Sequence, residues 1–177
     1  MTLSDGTLWG LLGAIPVPIG PGSGELAFRL ILAAVLGALI GAERSRAEKP
    51  ADTRTMMLIS VGAAAFALIG ERVIAQSEGG ASVGVVSDPT RVLAYIISGV
   101  GFLGAGAILH SKRTVKGLTT ASSIWCTAGV GAACGLGEIL IAGVVCGIVL
   151  VTLWGPWVYY SVTGKEPPGG GNGNGNG

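Results

Sequence analysis

Residues Gly99-Val100-Gly101-Phe102-Leu103-Gly104 spell GxGxxG, the pattern that lets a backbone turn approach a dinucleotide pyrophosphate. That chemistry needs a strand before the motif, a helix after it and an acidic residue about twenty positions on. Here the glycines sit inside the uncharged run Val92–Leu109, and no acidic residue follows Gly104 before Glu138. Gly99, Gly101 and Gly104 are therefore read as small residues that let helix backbones approach where lipid supplies no hydrophobic drive. Thr119, Thr120, Ser122, Ser123 and Thr127 form a second group of candidates. Such hydroxyls either bond across helices or line a polar crevice. Ahead of them His110, Lys112, Arg113 and Lys116 crowd one short turn. That turn suits an anion at the start of a helix, and equally suits retention of a loop in the cytoplasm.

Carboxylates and cysteines narrow the chemistry further. Glu25, Glu43, Asp52, Glu71, Asp88 and Glu138 are all expected at helix ends, which weakens a conventional cation route. Asp88, followed by Pro89, reads first as a helix cap with Arg91 as a nearby ion partner. It is also the one candidate metal ligand, because magnesium keeps its waters and needs only one or two carboxylates. Cys126, Cys134 and Cys146 fall inside apolar runs, and the single histidine, His110, lies in a loop. They read as small buried apolar residues. No serine-centred motif is present, so neither catalysis nor a bound cofactor is expected, magnesium aside as ligand or substrate.

These residues must be positioned by membrane helices. Half the residues are hydrophobic and 12% are charged, and the apolar residues fall in blocks. Five blocks are long enough to cross a bilayer: Glu25–Ala42, Thr53–Gly70, Val92–Leu109, Leu118–Gly137 and Ile139–Tyr160. Helices are required, since backbone polar groups in lipid must be satisfied internally. Residues 1–24 carry the apolar stretch Leu8–Ile19, which Gly13, Pro16 and Pro18 break, so an interfacial segment with Trp9 at that depth is expected. They lack Lys and Arg, so the first span is expected to double as insertion signal. Residues 25–162 form the five-helix domain, and the glycine–asparagine tail, 163–177, is expected to be disordered. The pairs Gly37/Gly41, Gly131/Gly135 and Gly143/Gly147 suit a compact bundle and also a homodimer.

Loop charge sets the orientation. Arg44, Arg46, Lys49 and Arg54 follow the first span, and Lys112, Arg113 and Lys116 follow the third. The opposite loops carry only Arg72 and Arg91. The basic loops belong in the cytoplasm, with the N-terminus outside and the C-terminus inside. Trp154, Trp157, Tyr159 and Tyr160 would then form an aromatic belt at the cytoplasmic exit of the fifth helix. Nothing in this arrangement suggests nucleic acid as a partner.

Several segments, in order, resemble the membrane domain of the MgtC/SapB family. They are Arg29-Leu30, Gly41-Ala42-Glu43-Arg44, Lys49-Pro50-Ala51, Arg54-Thr55 and Asp88-Pro89-Thr90-Arg91, then Ser98 through Gly106, Val115-Lys116-Gly117-Leu118-Thr119-Thr120-Ala121, and Trp125. The resemblance covers about Glu25 to Tyr160. It implies a multi-pass protein of the bacterial cytoplasmic (inner) membrane, linked to magnesium limitation and acid tolerance and often labelled a magnesium transporter. For the family's best-known member it implies instead inhibition of the F-type ATP synthase. The family's glycine after Lys-Pro-Ala is Asp52 here, and the C-terminal domain of longer members gives way to the glycine–asparagine run.

The sequence thus points to an all-α membrane protein with about five transmembrane helices. Its expected role is magnesium homeostasis, either as a transporter with Asp88 and Arg91 at the outer mouth and Thr119, Thr120 and Ser123 on an inner polar face, or as a regulator that binds another membrane complex. A third reading, binding of lipid or an anion, rests on the basic turn.

Overall fold

The computed structural model describes residues 22–79, 90–111 and 114–163. The interfacial segment, the glycine–asparagine tail, Asp88 and the Lys112–Arg113 pair lie outside these residues. The described chain forms five helices, α1 (Ser23–Arg46), α2 (Thr53–Gly79), α3 (Thr90–Gly106), α4 (Leu118–Gly135) and α5 (Ile139–Thr163), with the short strands β1 (Leu109–Ser111) and β2 (Thr114–Lys116) between α3 and α4. The strands pair antiparallel, His110 opposite Val115.

Helix stops follow from local chemistry. At the end of α1, the Lys49 N–H bonds the Arg44 carbonyl and the Glu48 N–H bonds the Ser45 carbonyl. This is a Schellman ending, with Glu48 at φ +52° in the left-handed position that glycine usually takes. Asp52 then caps α2, accepting from the Thr55 N–H at 3.0 Å and the Thr55 hydroxyl at 2.8 Å. Those two bonds, the backbone one first, hold the Asp52 carboxyl below the usual aspartate range. The α4 ending repeats the Schellman pattern, here with Gly137 at φ +80°. The expected third span is too long: α3 stops at Gly106, and Leu109 and His110 belong to β1. Gly117, at φ +91°, folds back so closely that any Cβ there would strike the Ala107 carbonyl oxygen.

α4 is the axis of the bundle and touches each of the other four helices. Ten of its residues are buried, among them Thr120, Ser123, Thr127, Val130 and Cys134. Val130 and Cys134 meet Ala33 and Ile40 of α1, Ala64 of α2 and Ala142 and Cys146 of α5. On its other side Ala128 and Ala132 meet Ala63 and Ala67 of α2, with Leu93, Ile96 and Val100 of α3 packed against them. Two of the glycine pairs make these contacts possible. A Cβ on Gly37 would lie 2.7 Å from the Ser60 Cβ, and one on Gly131 would overlap the Ser60 carbonyl, so α1, α2 and α4 meet nearly backbone to backbone.

The outside of the bundle is apolar. Phe28, Ile31, Phe66, Tyr95, Phe102, Leu140 and Val151 are all more than half exposed. Among the described residues two helices, Ser23–Arg46 and Thr53–Ile74, are long and apolar enough to cross a membrane. Their apolar windows are only 22% and 33% buried, whereas the core helix of a soluble protein would be mostly buried. The other three fall short of that standard for separate reasons. α3 has 17 residues, about 25 Å at 1.5 Å per residue, and the apolar part of α5, Ile139–Gly155, is no longer. α4 carries hydroxyls and glycines because ten of its eighteen residues are buried against its neighbours.

Candidate functional site

Two polar clusters tie the helices together, one at each end of the bundle. At the end where α1 begins, Arg29 projects from the apolar face one turn after Glu25 and forms an ion pair with it. Its guanidinium also donates to the Gly135 carbonyl at 2.9 Å and reaches the Glu71 carboxylate at 3.4 Å. The Gly135 carbonyl is one of the acceptors left open where α4 ends, so Arg29 supplies both its hydrogen bond and its favourable charge. Gly137 leaves room for this: a Cβ there would lie 2.8 Å from Arg29 Nη2. Glu71 is not at a helix end as expected, but eight residues before the last residue of α2.

At the opposite end Arg44 is 4% exposed. Its Nη2 donates to the Thr120 hydroxyl of α4 at 3.1 Å, and its Nη1 lies 3.7 Å from Glu43 Oε2, an ion pair longer than a hydrogen bond. Arg44 Nε and Glu43 Oε2 are both buried and neither makes a hydrogen bond. Buried charges are costly unless fully partnered, so this cluster retains hydrogen-bonding capacity that the Arg29 cluster does not. It is held in place by the approach of α1 to α2, where a Cβ on Gly41 would lie 2.5 Å from the Thr53 Cα. The Ser45 hydroxyl meets Thr53 at 2.9 Å and closes the same corner. One more contact ties α5 to this end: the Arg46 guanidinium lies 5.8 Å from the centre of the Trp154 ring.

The hydroxyl face of α4 follows expectation in part, with Thr120 bonding across to Arg44 of α1. Thr120, Ser123 and Thr127 are buried but Thr119 and Ser122 are exposed, so the five do not share one lining. The Ser123 hydroxyl donates to the Thr119 carbonyl at 2.7 Å and that of Thr127 to the Ser123 carbonyl at 2.7 Å. These two bonds stay within the helix, and the Thr127 hydroxyl also reaches Met56 Sδ of α2 at 3.5 Å. The glycine motif of α3 also behaves differently from expectation: Gly104 meets Ala121 at ordinary contact distance, while Gly99 and Gly101 face open space. Lys49, Arg54, Arg91 and Lys116 are exposed. Among the described residues no three His, Cys, Asp or Glu side chains converge as a metal cage, and Cys126, Cys134 and Cys146 are free thiols.

The MgtC family profile matches residues 30–156, from just after Arg29 to just beyond Trp154. The chain belongs to the MgtC family. Protein MgtC of Salmonella typhimurium is 44% identical over 109 residues, 62% of this chain and 42% of that protein. Protein SrpB of Synechococcus elongatus is 41% identical over 128 residues, 67% of this chain and 68% of that protein. An uncharacterized protein of Haemophilus influenzae is 39% identical over 126 residues, 71% of this chain and 52% of that protein. The chain therefore matches under half the length of the Salmonella relative. No solved structure matches it.

Within this MgtC-family membrane protein, sequence reasoning singled out Glu43, Arg44 and Thr120 separately, and the fold brings them together. It gave no site role to Arg29 or Ser60. The signal for Arg29 was an arginine four residues after Glu25 inside an apolar run. Ser60, fully buried between Gly37 and Gly131 with a hydroxyl that makes no hydrogen bond, had no signal beyond its place in an apolar block.

Proposed function

We propose that this MgtC-family domain is a regulator in magnesium homeostasis that works by binding another membrane complex rather than by conducting ions. The observation that carries this reading is the closed packing of α1, α2 and α4, nearly backbone to backbone at Gly37, Ser60 and Gly131. The hydroxyls of Ser123 and Thr127 are engaged by α4 carbonyls and, for Thr127, by Met56 of α2, and the exterior offers long apolar helix faces for a partner helix. The F-type ATP synthase is the partner that the family resemblance implies. In this reading the domain has neither a catalytic centre nor a cofactor. The Glu43–Arg44–Thr120 cluster is its functional element, because buried ionisable residues in membrane segments mark function by default.

Affinity capture from native membranes tests the proposal. The expected result is co-purification of the ATP synthase, together with no magnesium flux from the same protein in liposomes. Recovery of the chain alone would count against regulation by binding.

A second reading, transport, is favoured by one observation: Glu43 Oε2 at the Arg44 end is a buried carboxylate oxygen that makes no hydrogen bond. It would be a ligand for a partly hydrated magnesium ion. Asp88, the proposed outer mouth beside Arg91, lies outside the described residues. Liposome flux lost in both Glu43→Gln and Asp88→Ala would support this reading.

We further propose five spans in the bacterial cytoplasmic membrane, N-terminus outside. Arg44, Arg46, Lys49, Arg54 and Lys116 all lie toward one end of the bundle, which supports a cytoplasmic assignment for that end. A cysteine placed at exposed Lys49 would be labelled only by a membrane-permeant reagent. Labelling by an impermeant reagent in intact cells would reverse the orientation.

A further inference from the structure

α2 and α3 approach closely at Gly70, where a Cβ would lie 2.7 Å from a Val92 methyl. On the outward side of this contact they leave a groove of about 890 Å³. That is within the roughly 300–1,000 Å³ of small-molecule sites. Its walls are apolar, formed by residues such as Leu58, Phe66, Val73 and Leu103, each more than half exposed. The one charged side chain in the lining is Arg91, which makes no ion pair among the described residues. Tyr95, one turn further along α3, lines the same end.

Length and charge together identify an occupant. Arg91 and Leu103 are twelve residues apart on α3, about 18 Å at 1.5 Å per residue. Its α2 wall runs from Leu58 to Ile74, about 24 Å, so the groove is long enough for one acyl chain running inward from the headgroup level through the ~15 Å of one leaflet. A guanidinium at that level pairs bidentately with a phosphate, and a tyrosine is at home at the same depth.

We propose that the α2–α3 groove holds one acyl chain of a phospholipid whose phosphate sits on Arg91. The site is separate from the basic turn at Lys116 and from the Glu43–Arg44–Thr120 cluster. It holds whether the domain regulates or conducts.

Native mass spectrometry of the full chain in detergent micelles, titrated with dioleoyl phosphatidylglycerol or with dioleoylglycerol, tests this. One phospholipid per chain is expected, with dioleoylglycerol bound about tenfold more weakly. Arg91→Gln should lower phosphatidylglycerol affinity about tenfold and leave dioleoylglycerol unchanged. Gly99 and Gly62 line the groove and a Cβ on either meets nothing within 4 Å, so Gly99→Leu or Gly62→Leu projects a side chain into it from a backbone with room for the Cβ. Each should weaken both lipids, with helix content unchanged by circular dichroism. Equal affinity of the wild type for the two lipids, or phosphatidylglycerol binding untouched by Arg91→Gln and by both fillers, would overturn the assignment. So would lipid-free dimers that Gly99→Leu dissociates, which would give the groove to a second copy.

Discussion

Arg29 and Arg44 stand on the same helix, fifteen residues and about 22 Å apart, and do opposite things with the same side chain. Arg29 is surrounded by acceptors: two carboxylates that are 50% and 43% exposed and one helix-terminal carbonyl. Water screens those carboxylates, so the cluster works as a clasp between α1, α2 and α4. Arg44 is buried with one buried hydroxyl and, at 3.7 Å, the partly buried Glu43 carboxylate, and Arg44 Nε and Glu43 Oε2 make no hydrogen bond. The difference teaches where to look for function. A satisfied charge near solvent holds a fold together, whereas a buried charge with incomplete partners is retained at a cost that stability alone does not explain.

Breaking the two clusters should therefore have unequal effects. Arg44→Ala strands the Glu43 carboxylate and should destabilise the domain by about 3–5 kcal/mol, measured by unfolding in mixed detergent–SDS micelles. Thr120→Val removes the hydroxyl acceptor of Arg44 while keeping side-chain volume, and should cost about 1–3 kcal/mol in the same assay. Arg29→Gln keeps a donor near Gly135 and loses only screened ion pairs, so about 1 kcal/mol or less is expected. If Arg29→Gln proved as damaging as Arg44→Ala, the contrast between the two ends would be wrong.

The smallest effect belongs to Asp52, which sharpens the contrast because it is an exposed carboxylate with complete partners. Its carboxyl is held below the ordinary aspartate range by the Thr55 bonds. Its contribution is thus complete above the unfolded value of about 3.9 and is lost as pH falls through the lower folded value. Stability of the wild type should fall over that acidic window, and Asp52→Asn, which keeps the cap but cannot titrate, should flatten this part of the profile.

Much of this was legible in the sequence. The helix starts at Thr53, Leu118 and Ile139 follow directly from apolar runs bounded by polar or glycine-rich turns, and the basic loops mark one end. The end of α3 was not legible, because Ile108 and Leu109 continue the apolar run. Only the pairing of β1 with β2 and the backward turn at Gly117 stop the helix. Burial of Arg44 was hidden for a different reason. In sequence it lies in a charged stretch, Glu43 to Lys49, that reads as a loop. In the fold α1 continues to Arg46, and the glycine at 41 draws α2 against it, so the guanidinium is enclosed and turned to Thr120, 76 residues away. The Gly37/Gly41 and Gly131/Gly135 pairs were visible as packing faces, but their partner, α2 around Ser60 and Ala64, is settled by tertiary structure.

The most direct test of the contrast is growth in limiting magnesium of a bacterial host lacking its own copy, supplied with wild type, Arg44→Gln or Arg29→Gln at matched membrane levels. The account predicts that Arg29→Gln restores growth as the wild type does and that Arg44→Gln does not. Restoration by Arg44→Gln, or failure of both variants alike, would contradict it.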